Sequence, residues 1–260
     1  MKLRDALRAA EERLAAAGVD TPRVDAELLL AHVAGTTRSG LYADLDREVD
    51  GTVEPLLERR EAREPLAYVL GEWGFRRLML KTDARALVPR PETEIVVERC
   101  LALLEDAEAP RVLDIGVGSG AIALALKDER PDAQVTGVDV SRDALSLARE
   151  NADELDLDVD LREGDVSAAA EGWDLVVSNP PYVDSLAGLQ PELRHEPERA
   201  LIGEGMHEQI ARTASTRFLV FEVGDGQAHD VAAVLTACGY TGVQITRDLA
   251  GKDRVVEGRR

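Results

Sequence analysis

Trp173-Asp174-Leu175-Val176-Val177-Ser178-Asn179-Pro180-Pro181-Tyr182 decides how the rest of the chain is read. Its Val-rich apolar run stops abruptly at Asn-Pro-Pro, the pattern of a buried strand ended where two prolines remove backbone donors. Ligands of open α/β sheets bind where strands end, so chemistry is expected at Asn179. Pro180 biases Asn179 towards an extended conformation, and the stiff Pro180-Pro181 pair fixes the direction of the Pro180 carbonyl. Two rigid acceptors result, the Asn179 side-chain oxygen and the Pro180 carbonyl. An NH2 group on a carbonyl or an aromatic ring has a delocalised lone pair. Acceptors that hold its two hydrogens orient that pair and make the nitrogen a better nucleophile. Tyr182 adds a flat wall for such a planar group.

On either side of this strand, apolar stretches of strand and helix type alternate. Strands are expected at 112–115, 134–139, 159–162 and 175–178, with helices at 121–127 and 142–155, which indicates right-handed parallel β-α-β units. A strand at 218–223, a helix at 227–238 and strands at 243–246 and 254–257 follow. The turn after the first of these strands reads Asp114-Ile115-Gly116-Val117-Gly118-Ser119-Gly120-Ala121. Its glycines let a ligand approach the backbone closely beside an open helix N-terminus. Asp139 ends the next strand, where a carboxylate can accept both hydroxyls of a ribose. This geometry says adenosine and fits a dehydrogenase as well as a methyltransferase. Asn179 to Tyr182 break the tie, because hydride transfer has no need of amino-group acceptors. Asp165, in Glu163-Gly164-Asp165-Val166, is placed where it can face the amino group of an adenine.

The N-terminal part has a different character. Leu3, Leu7, Ala10 and Leu14 recur at helical spacing up to Gly18, and Thr21-Pro22 opens a second helix in the preferred order of cap and first turn. Segments 41–49 and 52–63 continue the helical pattern. Residues 1–70 therefore read as a small helical bundle with no reactive cluster, suited to recognition. Residues 71–88 read as a hairpin linker, in which Gly74-Phe75 with Leu78-Met79-Leu80, and then Ala86-Leu87-Val88, make two short strands. Residues 89–260 form the α/β domain. Pro89-Arg90-Pro91-Glu92-Thr93-Glu94 opens it with a helix start whose acids suit the helix dipole, which accounts for Arg90 and Glu92 as well as a site would.

A chain of 260 residues with 45% hydrophobic residues supports a large domain and a small one. The net charge of −19 is uneven: residues 1–85 hold 14 Lys/Arg against 16 Asp/Glu, and residues 86–260 hold 17 against 34. An acidic α/β domain repels a phosphate backbone, so no direct nucleic-acid partner is expected. Lys is only four of the 31 basic residues, an Arg bias that suggests a high-salt or GC-rich source. No apolar stretch is long enough for a bilayer, and Met1-Lys2-Leu3-Arg4-Asp5 alternates in charge, so a cytoplasmic location is expected. Cys100 and Cys238 read as small core residues, and the four His show no metal-ligand spacing.

With these residues in place the chain resembles the HemK/PrmC family, the glutamine N5-methyltransferases of peptide chain release factors. The resemblance runs through Asp25-Ala26-Glu27-Leu28-Leu29-Leu30-Ala31-His32, Glu64-Pro65-Leu66-Ala67-Tyr68-Val69-Leu70-Gly71, residues 89–94, 114–126 and 178–182, and Glu196-Pro197-x-x-Ala200-Leu201. Asn-Pro-Pro-Tyr alone is shared with DNA adenine and rRNA guanine methyltransferases; joined to the helical domain and Pro-Arg-Pro-Glu-Thr-Glu it is specific. The resemblance implies a seven-stranded Rossmann-like sheet with its last strand antiparallel. It implies methyl transfer from S-adenosylmethionine to the side-chain amide of the Gln in a release factor's Gly-Gly-Gln motif, with the helical domain gripping the release factor; a monomer is expected. It further implies that Gly116, Val117, Gly118, Ser119, Gly120 and Asp139 hold the cofactor, and that Asp165 and Val166 border its adenine. Asn179 is then shared with the substrate amide, which also meets Pro180, Pro181 and Tyr182, with Arg90 and Glu92 nearby. In two places the chain departs from the family pattern: Val166 stands where an aromatic residue is usual, and 203–217 is short. The alternatives are an exocyclic amino-group methyltransferase of DNA or rRNA, and a non-catalytic release-factor or ribosome adapter.

Overall fold

A computed structural model describes residues 1–49, 52–182, 185 and 188–260. They divide into two units, Met1–Glu72 with Leu189–His195, and Trp73–Gly188 with Glu196–Arg260.

The first unit holds α1 (Leu3–Ala16), α2 (Pro22–Val33), α3 (Arg38–Leu41), α4 (Glu54–Glu61) and α5 (Leu66–Leu70). Leu3, Leu7, Ala10 and Leu14 form one stripe of α1 and are buried with Leu29 and Leu30 of α2, as their spacing requires. Pro22 sits in the first turn of α2, where its missing N–H costs nothing. The helix expected at 41–49 is absent. Asp44 accepts from the N–H groups of Asp46 and Arg47, which turns the chain. The carbonyls of Leu45 and Arg47 then accept from Arg4 and Leu3, two of the donors that the N-terminus of α1 leaves without a helical partner. Leu41, Leu45 and Val49 thus have helical spacing, but Leu41 ends α3 and the stretch after it caps α1 instead of forming a helix. The segment 189–195 completes this unit: Glu192 accepts from Arg60 at 2.9 Å and from Arg63 at 2.7 and 2.8 Å.

In the second unit β1 (Glu72–Phe75) and β2 (Leu78–Lys81) form the hairpin. Its Phe75, Leu78 and Leu80 are buried in the same core as the sheet. Residues 86–88 are no strand. The Val88 N–H donates to the side chain of Glu196 rather than to a neighbouring strand. Then come α6 (Thr93–Leu103), β3 (Arg111–Ile115), α7 (Ala121–Glu129), β4 (Gln134–Asp139), α8 (Arg142–Leu155), β5 (Asp160–Glu163) and β6 (Trp173–Ser178). After these follow α9 (Glu198–Leu201), α10 (Met206–Thr213), β7 (Thr216–Glu222), α11 (Ala228–Ala237), β8 (Thr241–Arg247) and β9 (Asp253–Arg259).

Seven strands form one sheet in the order β5-β4-β3-β6-β7-β9-β8, and the last strand, β9, is antiparallel to both of its neighbours. Alternation sends Val112, Leu175, Val177 and Val220 to the face covered by α6 and α7. Leu113, Val176, Leu219 and Phe221 face α10 and α11. The sheet is therefore buried on both faces, as a Rossmann-like α/β fold requires. The parallel register pairs Ile115 with Val138 and with Ser178, and Ser178 with Phe221. The next residue of each strand or turn, Gly116, Asp139, Asn179 and Glu222, therefore stands in one row at the carboxyl edge.

Candidate active site

A cavity of about 470 Å³, within the size range of small-ligand sites, opens along that row. Of the residues singled out in the sequence, Gly116, Val117, Gly118, Ser119, Asp139, Asp165, Val166, Asn179, Pro181 and Arg90 line it. Gly120, Pro180, Tyr182 and Glu92 are not among the residues that line it.

The glycine turn is shaped by backbone bonds. Gly116 and Val117 both donate to the Val138 carbonyl, at 2.9 and 3.0 Å. Gly116 has φ +75°, and a Cβ built there would meet no atom within 4 Å, so the space above it is open to a ligand. Gly120 is a glycine for another reason: at φ +91° it starts α7, and a Cβ there would lie 2.8 Å from a methyl of Leu124. Asn151 of α8, fully buried, donates to the Ser119 carbonyl at 2.9 Å and holds the edge of β2 through Lys81. Sequence reading missed Asn151, which looks like one more polar residue in an amphipathic helix.

Asp139 is fixed by two backbone donors, Gly118 N–H to one oxygen at 3.0 Å and Ser141 N–H to the other at 2.8 Å. Each oxygen keeps a second lone pair, enough for a diol. Asp114 lines the same cavity. One of its oxygens accepts from Ala123 N–H at 3.1 Å; the other is buried with no hydrogen-bond partner among the described residues. Burial pushes this carboxyl up to about 7. Asp165 accepts from Ser167 N–H and caps the short turn 166–171; hydrogen bonding to Ser167 holds it below the usual carboxylate range. One of its oxygens is thus occupied by the cap it makes.

At the other end, Asn179 is half-buried beside the start of α6. Its Nδ2 lies 3.5 Å from Thr93 Oγ1, and Thr93 in turn donates to Glu222 Oε2 at 2.6 Å. Burial pushes Glu222 up to about 7. His207 of α10 donates from Nε2 to the Glu222 carbonyl at 2.9 Å. Burial lowers the His207 pKa, which favours the neutral imidazole. Burial also pushes the Tyr182 hydroxyl up to about 12, which keeps it protonated. Gln227 donates to the Tyr182 carbonyl at 3.0 Å, and a Cβ on Gly224 would come within 2.9 Å of the Tyr182 ring. Gly203 is as close to Pro181. Arg90 forms an ion pair with buried Glu196, whose other oxygen accepts from Val88 N–H at 3.0 Å. Glu92 does not line the cavity, but its charge helps to raise Glu222.

Thr93, Glu196 and Glu222 were not singled out as site residues in the sequence. One signal for Glu222 existed: like Asn179, it is a polar residue that ends an apolar strand run.

The sequence matches two described families: the PrmC N-terminal domain over residues 5–71 and the methyltransferase small domain over residues 93–206. It is 42% identical to the release factor glutamine methyltransferase of Deinococcus radiodurans, across 100% of this chain and 99% of that protein. It is 40% identical to the release factor glutamine methyltransferase of Caulobacter vibrioides, across 96% and 93%. Among solved structures, the T. thermophilus 16S rRNA N2 methyltransferase in complex with AdoMet and guanosine matches with a TM-score of 0.54 at 17% identity. That match covers 73% of this chain and 49% of that one and is a likeness of fold.

Proposed function

The chain belongs to the release factor glutamine methyltransferase family, and from that premise we propose that it methylates the side-chain amide nitrogen of a release factor's Gly-Gly-Gln glutamine. The observation that carries this reading is the placing of the Asn179 turn and the glycine turn on one cavity.

The residues present suit S-adenosylmethionine. The open space over Gly116 accepts a ligand against the backbone, and Asp139 presents a prearranged pair of acceptors for a ribose. The orphaned oxygen of Asp114 calls for a donor, which a cationic amino group supplies best. Gly116, Val117, Gly118, Ser119 and Gly120 would hold the cofactor with Asp139 and Asp114, while Asp165 and Val166 border its adenine. When bound, the cofactor supplies an electrophilic methyl carbon.

The protein's part is positioning. Asn179 Oδ1 and the Pro180 carbonyl accept the two hydrogens of the glutamine amide and turn the nitrogen lone pair towards the cavity. Tyr182, neutral and backed by Gly224, bounds the amide plane. No side chain needs to remove a proton before attack, because the proton leaves after the nitrogen has been methylated. Arg90, held by Glu196, lines the same cavity. The helical unit supplies the grip on the release factor, and the enzyme acts as a cytoplasmic monomer; no helix among the described residues is long and apolar enough to cross a membrane.

The test is methyl transfer from labelled S-adenosylmethionine to a purified release factor, beside a release factor whose motif Gln is replaced by Ala. Label is expected on the first alone and lost with Asn179→Ala enzyme. Label on nucleic acid instead, or on no release factor in either low or molar salt, overturns the reading.

A further inference from the structure

Asn179 serves as an acceptor in only one of its two amide orientations. A half-turn of the side chain exchanges oxygen for NH2, at almost no cost in shape. With NH2 turned to the substrate, the site would oppose the amide hydrogens it has to hold. Some neighbour has to break this symmetry.

The neighbours are Thr93 and Glu222. Thr93, the first residue of α6, is 4% exposed, and Glu222, the last residue of β7, is 2% exposed. Thr93 Oγ1 stands 2.6 Å from Glu222 Oε2 and 3.5 Å from Asn179 Nδ2. A hydroxyl has one proton, and an ionised carboxylate has none to give. Where Glu222 is ionised, above its value of about 7, the Thr93 proton is committed to it, and the Thr93 oxygen acts only as an acceptor towards Asn179. Nδ2 must face inwards, which leaves Oδ1 for the cavity. The pair is well anchored: Glu222 lies beside Asn179 in the sheet register, and its carbonyl is held by His207. No Lys, Arg or His side chain among the described residues forms an ion pair with the Glu222 carboxylate, so its hydrogen-bonding capacity is directed to its polar neighbours.

We propose that Glu222 and Thr93 form a polarity relay, in which Glu222 fixes the Thr93 proton and Thr93 fixes the amide orientation of Asn179. Both are positioning residues for amide methylation. The inference rests on the substrate reading given above, and it assigns these two residues a role distinct from cofactor binding.

The test uses the full chain and four enzymes: wild type, Thr93→Ser, Thr93→Val and Glu222→Gln. Methyl transfer to the release factor gives kcat and KM, calorimetry gives S-adenosylmethionine affinity, and thermal unfolding reports on folding. Thr93→Val removes the hydroxyl while keeping its shape. Glu222→Gln replaces a pure acceptor by a group that can also donate. Both are expected to lower kcat by roughly 100-fold, the scale of a misplaced reacting group, with KM and cofactor affinity near wild type. Thr93→Ser, which keeps the hydroxyl, is expected to restore turnover. Wild-type kcat in Thr93→Val or Glu222→Gln, or a loss shared equally by Thr93→Ser, overturns the relay. Should Thr93→Val fail to fold, the nearly isosteric Glu222→Gln decides by the same criterion. Absence of label with wild-type enzyme overturns the substrate reading itself, and the relay with it.

Discussion

In the helical unit, buried acids are matched by arginines; beside the cavity of the sheet unit, Asp114 and Glu222 are buried with no ion pair among the described residues. Asp25, 3% exposed, accepts from Arg60 at 2.7 Å. Glu27, 2% exposed, is gripped by Arg23, Arg38 and the Tyr42 hydroxyl. Burial works to raise Glu27, but hydrogen bonds from Tyr42, Arg38 and Arg23 outweigh it and hold the carboxyl below its usual range. Glu192 is lowered in the same way by Arg63 and Arg60. Among the described residues Asp114 and Glu222 have only neutral donors, and burial carries both to about 7. The difference separates two uses of a buried carboxyl. Where the task is to hold helices together, its charge is neutralised within the fold. Where a cationic ligand or a fixed hydroxyl proton is needed, it has no ion-pair partner among the described residues.

The largest effect is expected from breaking the matched side. Arg60→Leu leaves Asp25 buried without its cation and takes one donor from Glu192, at a cost of about 3–5 kcal/mol, read from urea unfolding. The opposite change on the unmatched side should stabilise. The Asp114 carboxyl has an ordinary value of 3.8 and a folded value of about 7, so between those pH values the native state holds a proton that the unfolded chain has lost. Stability of the ligand-free protein therefore falls as pH rises through this window. Asp114→Asn should flatten that fall and gain roughly 2 kcal/mol at pH 8, measured by thermal unfolding, while weakening S-adenosylmethionine binding. A destabilised Asp114→Asn protein at pH 8 would show that the acid is satisfied in a way the comparison leaves out. The smallest effect belongs to an exposed pair: Arg13→Ala, losing Glu54 and Glu61, should cost less than about 1 kcal/mol, and less again in high salt.

Much of this arrangement was legible in the chain itself, and the exceptions share a cause. Strand β6 and the turn at Asn179 were readable because an apolar run and two prolines act locally. The glycine turn and Asp139 were readable because their spacing reflects one β-α-β unit. Thr93 and Glu222 were not, because their meaning arises only when α6 and β7 come together across a separation of 129 residues. Local pattern also misled where long-range bonds compete. Leu41, Leu45 and Val49 have helical spacing, yet the carbonyls between them are taken by the start of α1. Ala86-Leu87-Val88 has strand composition, but the donor a strand would use goes to Glu196. Nothing in the spacing of 189–195 shows that these residues belong with the helices rather than the sheet, since the connection is made by single polar side chains, Glu192 and Gln190.

That return of the chain bears on how the protein can be divided. The family match ends at residue 71, yet the arginines at 60 and 63 find their shared acid only after most of the sheet has been laid down. A fragment cut at the apparent boundary would keep two cations and lose the anion between them. The helical unit is therefore not a detachable cassette, and during synthesis its last ion pairs must wait until the Asn179 strand has left the ribosome.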